Sequence, residues 1–184
     1  MEKTKVISYE KIKEIVNSIA SPRLSAMVAV QYGLAARAGE LITYQHTSQK
    51  QTPGLLKSNI TQVGGVWICP IPNFKNAKQE FKRPYISPKE DFIFRPFKFW
   101  FDQCDEQVFD LRVARWRELV KGVLPLGLAS HSLRHSRATH LAEVFGFSAF
   151  EIKAFLGHAR LDTSAIYVHQ DLSKSAGKIE EALK

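Results

Sequence analysis

The sequence predicts a mainly α-helical domain with a small three-stranded antiparallel β-sheet, an α+β arrangement. Three observations carry that expectation. Apolar residues recur at helical spacing over most of the chain, as at Ile12, Ile15, Val16 and Ile19. Residues 59–71 instead read as two strands about a Gly64-Gly65 turn. The 184 residues, 45% of them hydrophobic and 24% charged, suit one core and one domain with at most a small appendage.

Taken in order, Ser8 is placed to cap a helix over residues 8–20. Pro22 suits the first turn of a second helix that carries Leu24, Met27, Val28 and Tyr32 toward Gly33. Residues 43–58 are polar, contain Pro53-Gly54 and read as a loop or short irregular segment. The hairpin follows, and a third strand is expected near Lys82 to Ser87, after the turn NFKNAKQEF. Residues 89–101 are the most aromatic stretch, either a strand or a helix with Pro96 near its start. Its rings are expected to bury against the sheet. Residues 106–121 predict a helix bearing Arg112, Arg115 and Arg117. Ala138, Leu141, Ala142 and Phe145 form the stripe of the next one. Ser148 and Glu151 make a capping box for another, which ends at Gly157. Ile179, Ala182 and Leu183 give residues 171–184 a short amphipathic stripe.

Composition narrows the function. A net charge of +8 favours a polyanionic partner. No apolar run reaches the ~18 residues of a membrane span, and no signal-peptide pattern occurs, so a cytoplasmic protein without membrane contact is expected. Cys69 and Cys104 are far apart, lack metal-ligand spacing and are expected to be core thiols. No glycine-rich nucleotide loop occurs, so the expected chemistry uses neither a nucleotide cofactor nor a metal.

Residues 130–169 concentrate groups suited to phosphate. His131 and Arg134 are three apart and share a helix face. His135 and His158 add imidazoles, and Tyr167 follows nine residues after His158. His131-Ser-Leu-Arg134, Leu156-Gly157-His158 and Tyr167 resemble the three catalytic motifs of the tyrosine recombinase (phage integrase) family. Arg37-Ala-Gly-Glu40-Leu41 resembles that family's first arginine motif, Arg-x-x-Glu-Leu. The family's usual Gly stands two residues before that Arg, whereas Gly33 stands four before it.

The resemblance implies the tyrosine recombinase catalytic-domain fold over residues 1–170. It implies a site-specific recombinase or integrase that cleaves and rejoins DNA through a 3′-phosphotyrosyl intermediate. Tyr167 is then the nucleophile, Arg37 and Arg134 the guanidinium pair, and His131 and His158 phosphate donors or proton shuttles. Glu40 supports the first arginine. The family's catalytic lysine lies in the turn between the second and third strands, where Lys75 is favoured and Lys78 is the alternative. His135 and His140 are expected in helix packing or behind the site, and Arg137 in a backbone contact or salt bridge. Double-stranded DNA and other protomers are the implied partners, with a monomer when free and a tetramer on DNA. The 171–184 tail is expected as a helix packing on its own domain or on a neighbour. The family normally carries a helical core-binding domain before the catalytic one, so the chain reads as a cut-out catalytic domain. The setting would be the host cell of a virus or mobile element, or a nucleoid. Type IB topoisomerase-like relaxation and a non-catalytic DNA-binding module are the competing readings.

Overall fold

The computed structural model describes residues 6–45, 51–74 and 81–158. Helix α1 (Tyr9–Ser18) starts where Ser8 accepts a hydrogen bond from the Lys11 amide, and it buries Ile12, Ile15 and Val16. Helix α2 (Pro22–Gly33) is capped by Ser21, with Pro22 in its first turn. It is buried from Ser25 to Gly33 because α1, α4 (Asp91–Gln103), α5 (Val113–Val123) and α6 (Ser130–Glu143) all pack against it. A short helix α3 (Ala38–Leu41) follows, and α7 (Ala149–Leu156) closes the described helices.

The expected sheet is present. Strands β3 (Thr61–Val63) and β4 (Val66–Ile68) pair antiparallel across Gly64-Gly65, and β4 pairs in turn with β7 (Tyr85–Ile86). The same ribbon continues beyond this sheet, where β5 (Ile71–Pro72) pairs with β6 (Phe81–Lys82). Arg83-Pro84 interrupts the third strand, and the Cys69 amide donates to the Pro84 carbonyl between the two paired segments. Proline cannot return that bond, so the ladder breaks there.

Several expectations are corrected. Residues 43–58 are more than a loop: β1 (Tyr44–Gln45) pairs with β2 (Gln51–Thr52). The aromatic stretch is a helix with Pro96 inside α4, beyond its first turn. Burial of Phe92, Ile93 and Phe97 outweighs the missing amide, and Trp67 of β4 stacks edge-on to Phe97 and Phe101 at 5.6 and 5.2 Å. The expected burial of these rings against the sheet therefore holds. The helix expected from 106 begins only at Val113. Before it, the chain runs past Leu55, with the Val108 amide on the Leu55 carbonyl. Phe145 is 39% exposed, not core, because α6 ends at Glu143. The helix buries polar side chains along its length, among them Arg137, which bonds both oxygens of Glu90 at 2.6 Å. Cys69 is buried and Cys104 half-buried.

Lys75, Lys78, Tyr167 and the 171–184 tail lie outside the described residues.

Candidate active site

The link from α2 to α3 supplies the first half of the site. Gly33 ends α2 against α4, where a Cβ would stand 2.8 Å from Ile93 Cγ2, so its small size serves helix packing. Two residues before Arg37 stands Ala35, with φ of +47°. This is the position where the family pattern has glycine, and the backbone there takes the left-handed conformation that glycine adopts freely. The twist aims the Ala35 carbonyl at Arg134, whose Nη1 donates to it at 2.6 Å. Relief of strain in Ala35→Gly is about 1–2 kcal/mol, and the lost buried methyl offsets about 0.8 kcal/mol of it. We therefore expect Ala35→Gly to change unfolding free energy by less than about 1 kcal/mol, and Ala35→Val to lower it by clearly more. Urea titration of the two variants checks this.

Glu40 is the hub. Its carboxylate is fully buried and accepts the Arg37 amide on Oε2 at 2.8 Å and the Arg37 guanidinium on Oε1 at 2.7 Å. Oε2 also accepts Lys82 Nζ at 2.8 Å and faces Arg134 Nη1 at 3.8 Å. Burial alone would raise the Glu40 pKa, but Lys82, Arg134 and Arg37 together hold it below the ordinary carboxylate range. One ionised carboxylate thus ties together two guanidiniums and an ammonium. Arg37 keeps about a third of its side chain exposed, while Arg134 is nearly buried.

Helices α6 and α7 supply the second half. His131 sits exposed on the first turn of α6, and His135 lies beside it, ring centroids 6.1 Å apart. His135 is half-buried. Its pKa is lowered by burial and by His131, Arg134 and Arg37. His140 does serve helix packing: its Nδ1 meets the Tyr32 hydroxyl at 2.7 Å in the core. Arg137 forms the expected salt bridge, to Glu90. Helix α7 is closed by Gly157 with φ of +68°, and a Cβ there would lie 2.5 Å from Asn73 Nδ2. Only glycine fits. Asn73 Nδ2 donates to the Gly157 carbonyl at 2.9 Å and fixes the chain just before His158. Arg134 Nη2 reaches the Leu156 carbonyl and His158 Nε2, both at 3.2 Å. A guanidinium only donates, so His158 Nε2 accepts and its proton sits on Nδ1.

His158 is lowered to about 4 by burial and by Arg134, Arg37 and Lys82, against the pull of Glu40. His140 is also lowered to about 4, by burial and Arg137. Both are neutral when folded and bind protons near 6.5 when unfolded. The unfolded chain therefore holds more protons between these values. Stability is full above about pH 6.5 and falls as pH drops toward 4. The urea midpoint is expected to be lower at pH 5 than at pH 7, with a smaller drop in His140→Gln.

The sequence profile of the phage integrase family matches residues 5–174. The chain belongs to that family. Among curated relatives, tyrosine recombinase XerC of Yersinia pestis is 28% identical over 173 residues, which is 87% of this chain and 52% of that protein. The chain thus spans about half the length of that relative. The XerH site-specific recombinase bound to its difH substrate in a pre-cleavage complex superposes with a TM-score of 0.67 at 19% identity, over 93% of this chain and 53% of that one. The catalytic domain of bacteriophage HP1 integrase does so with a TM-score of 0.59 at 18% identity, over 94% and 93%. The fold is that of a tyrosine recombinase catalytic domain.

In this family member, the fold brings Arg37, Glu40, Arg134 and His158 into one bonded cluster, with His131 on the helix that carries Arg134. Sequence reading missed Lys82 and Asn73. No motif marks Asn73. A lysine next to a phenylalanine in a strand reads as the solvent-facing member, yet Phe81 is 37% exposed and Lys82 fully buried. No signal in the sequence marks either residue. Among the described residues no cluster of His, Cys, Asp or Glu could hold a metal ion, and no helix is long and apolar enough to cross a membrane.

Proposed function

We propose that this chain is the catalytic part of a site-specific DNA recombinase or integrase acting through Tyr167. The observation that carries the reading is the Glu40 cluster, which holds two guanidiniums beside a neutral His158. Both arginines keep a fixed positive charge, matching the charge that gathers on the non-bridging oxygens when a phosphodiester is attacked. Tyr167 stands nine positions after His158, with eight residues between them. They can span up to about 30 Å, ample to bring the hydroxyl to this cluster.

The steps follow. The Tyr167 hydroxyl oxygen attacks the scissile phosphorus and gives up its proton to His131, which is exposed at the start of α6. The P–O5′ bond breaks and a 3′-phosphotyrosyl link remains. The departing 5′ oxygen takes a proton from Lys75, or from Lys78. His158, protonated on Nδ1, donates to a phosphate oxygen. Attack by the 5′-hydroxyl of a partner strand then releases Tyr167 and joins the new strand. Energy is conserved in the covalent link, so no nucleotide is consumed. Double-stranded DNA is the substrate, and the exposed Arg112 and Arg117 suit its backbone. Strand exchange joins two duplexes, so a tetramer assembles on DNA from free monomers, with the 171–184 tail docking in its own domain or on a neighbour. Its setting is DNA-associated. Among the relatives described above, XerC, XerH and HP1 integrase are recombinases or integrases, which favours this reading over topoisomerase-like relaxation.

The test uses a nicked duplex selected from a randomised pool for binding to the chain. Denaturing gels are expected to show a covalent protein–DNA adduct. Binding without any adduct would refute the enzyme reading, and relaxation of supercoils without strand exchange would favour the topoisomerase.

A further inference from the structure

The described fold buries one ammonium that the mechanism above does not use. Lys82 Nζ is sealed from solvent, yet it lies against the catalytic cluster. Its two acceptors are Glu40 Oε2 at 2.8 Å and the Leu156 carbonyl at 3.4 Å. Arg134 approaches the same two groups, Glu40 Oε2 at 3.8 Å and the Leu156 carbonyl at 3.2 Å. Lysine and arginine therefore compete for one anion and one carbonyl, and the lysine is the nearer to the anion.

We propose that Lys82 is a positioning residue: by occupying Glu40 Oε2 it keeps the carboxylate from drawing in Arg134, and so leaves that guanidinium set to receive a phosphate. The inference rests on the reading of Arg134 as a phosphate-binding group. Were the ammonium absent, the unsatisfied Oε2 would attract Arg134, whose Nη1 needs to close only the gap from 3.8 Å to hydrogen-bonding distance. The guanidinium would then rotate away from the Ala35 carbonyl, the Leu156 carbonyl and His158. Such a displacement is on the scale of 1 Å, which costs an enzyme roughly a hundredfold in rate. Strand β6, which carries Lys82, follows Lys75 and Lys78 in the sequence.

Charge supports the assignment. Burial and the neighbouring Arg134 lower the Lys82 pKa to about 7, against the attraction of Glu40. Glu40, Arg134 and Arg37 are the charged groups that face it across α3, α6 and the α2–α3 link, with His158 at the end of α7. An arriving phosphate adds negative charge beside it and favours its protonated form. Anion binding is therefore coupled to uptake of a proton at Lys82, and a rise in pH removes the ammonium that holds Glu40.

Two measurements on the whole chain test this. In the first, the Arg134 Nε–H resonance of wild type and Lys82→Met is followed by NMR against pH, with and without inorganic phosphate. The wild-type signal is expected to move as Lys82 titrates, and phosphate is expected to shift that movement to higher pH. In Lys82→Met the signal stays at its alkaline position throughout. A wild-type signal that ignores the Lys82 titration overturns the proposal, whatever the chain does to DNA. In the second, the single-turnover adduct rate and the duplex Kd are measured on the selected nicked duplex. Lys82→Met is expected to slow adduct formation roughly tenfold to a hundredfold, with Kd within about twofold, and to lose the alkaline fall in rate. Removal of the anion as well, in Glu40→Gln/Lys82→Met, is expected to make the Lys82 substitution nearly silent relative to Glu40→Gln alone. Equal loss in both backgrounds, or a rate at the wild-type level in Lys82→Met, contradicts it. Lys82→Gln, which can still donate to Glu40, serves as the partial rescue and as the second variant if methionine prevents folding. Absence of any wild-type adduct would count against the recombinase reading alone, since the NMR arm is read without cleavage.

Discussion

Arg134→Ala is expected to slow covalent adduct formation by roughly a thousandfold, the upper end of what losing one preorganised oxyanion donor costs. The residue is 7% exposed and its side chain bridges three separate parts of the site: the Ala35 carbonyl, the Leu156 carbonyl and His158 Nε2. On the proposed function its loss removes phosphate contacts, and it removes the donor that fixes the His158 tautomer. Glu40 keeps Arg37 and Lys82, so no buried charge is left uncompensated and the fold should persist. Arg134→Lys is expected to recover little, because an ammonium cannot serve carbonyl, carbonyl and imidazole from one plane. Single-turnover rates beside duplex Kd values distinguish the effects: the rate should collapse while Kd moves by less than about tenfold, since backbone contacts elsewhere carry most of the affinity.

Glu40→Gln should have the largest effect on stability, a loss of about 3–5 kcal/mol. The carboxylate is the shared partner of Arg37, Lys82 and Arg134, and two of these cations are buried. Without the anion, Lys82 is the group that yields, since its pKa already stands at about 7 and arginine cannot deprotonate. A lysine whose folded pKa lies below its unfolded value binds fewer protons when folded. Stability therefore rises with pH through that window. The Glu40→Gln deficit should be greater at about pH 6 than at about pH 9. Urea unfolding at the two pH values checks both size and sign.

Much of this site is legible in the sequence because its chemistry is written in fixed spacings. Arg37 with Glu40, His131 with Arg134, and Gly157 with His158 each sit within one turn or one cap, where local geometry dictates proximity. The helices α1, α2 and α7 announce themselves through Ser8, Pro22 and the Ser148–Glu151 box. The displaced glycine is resolved only in three dimensions: Gly33 answers to Ile93 across the helix interface, and Ala35 takes the left-handed turn. Lys82 was illegible because a lone lysine in a two-residue strand follows the rule that charges face solvent. That rule is overturned by an anion 42 positions away. For Arg137 a salt bridge is expected, but its partner Glu90, 47 residues distant, is not readable from spacing. Long-range ion pairs leave no period in a sequence, whereas caps and helix faces do.

The central claim is that Tyr167 carries the covalent link. The chain has five tyrosines. Tyr32 is buried with its hydroxyl on His140, and its pKa is raised by burial. Tyr9 is raised to about 12 by burial and the Glu90 carboxylate, to which its hydroxyl donates. Tyr85 is raised by burial and stacks on Phe155. None of these three lies ready to attack a phosphate. The deciding measurement is digestion of the trapped adduct, followed by mass spectrometry of the nucleotide-bearing peptide. The account predicts the modification on Tyr167, and no adduct from Tyr167→Phe. A link at any other residue, or an undiminished adduct in that variant, would contradict it.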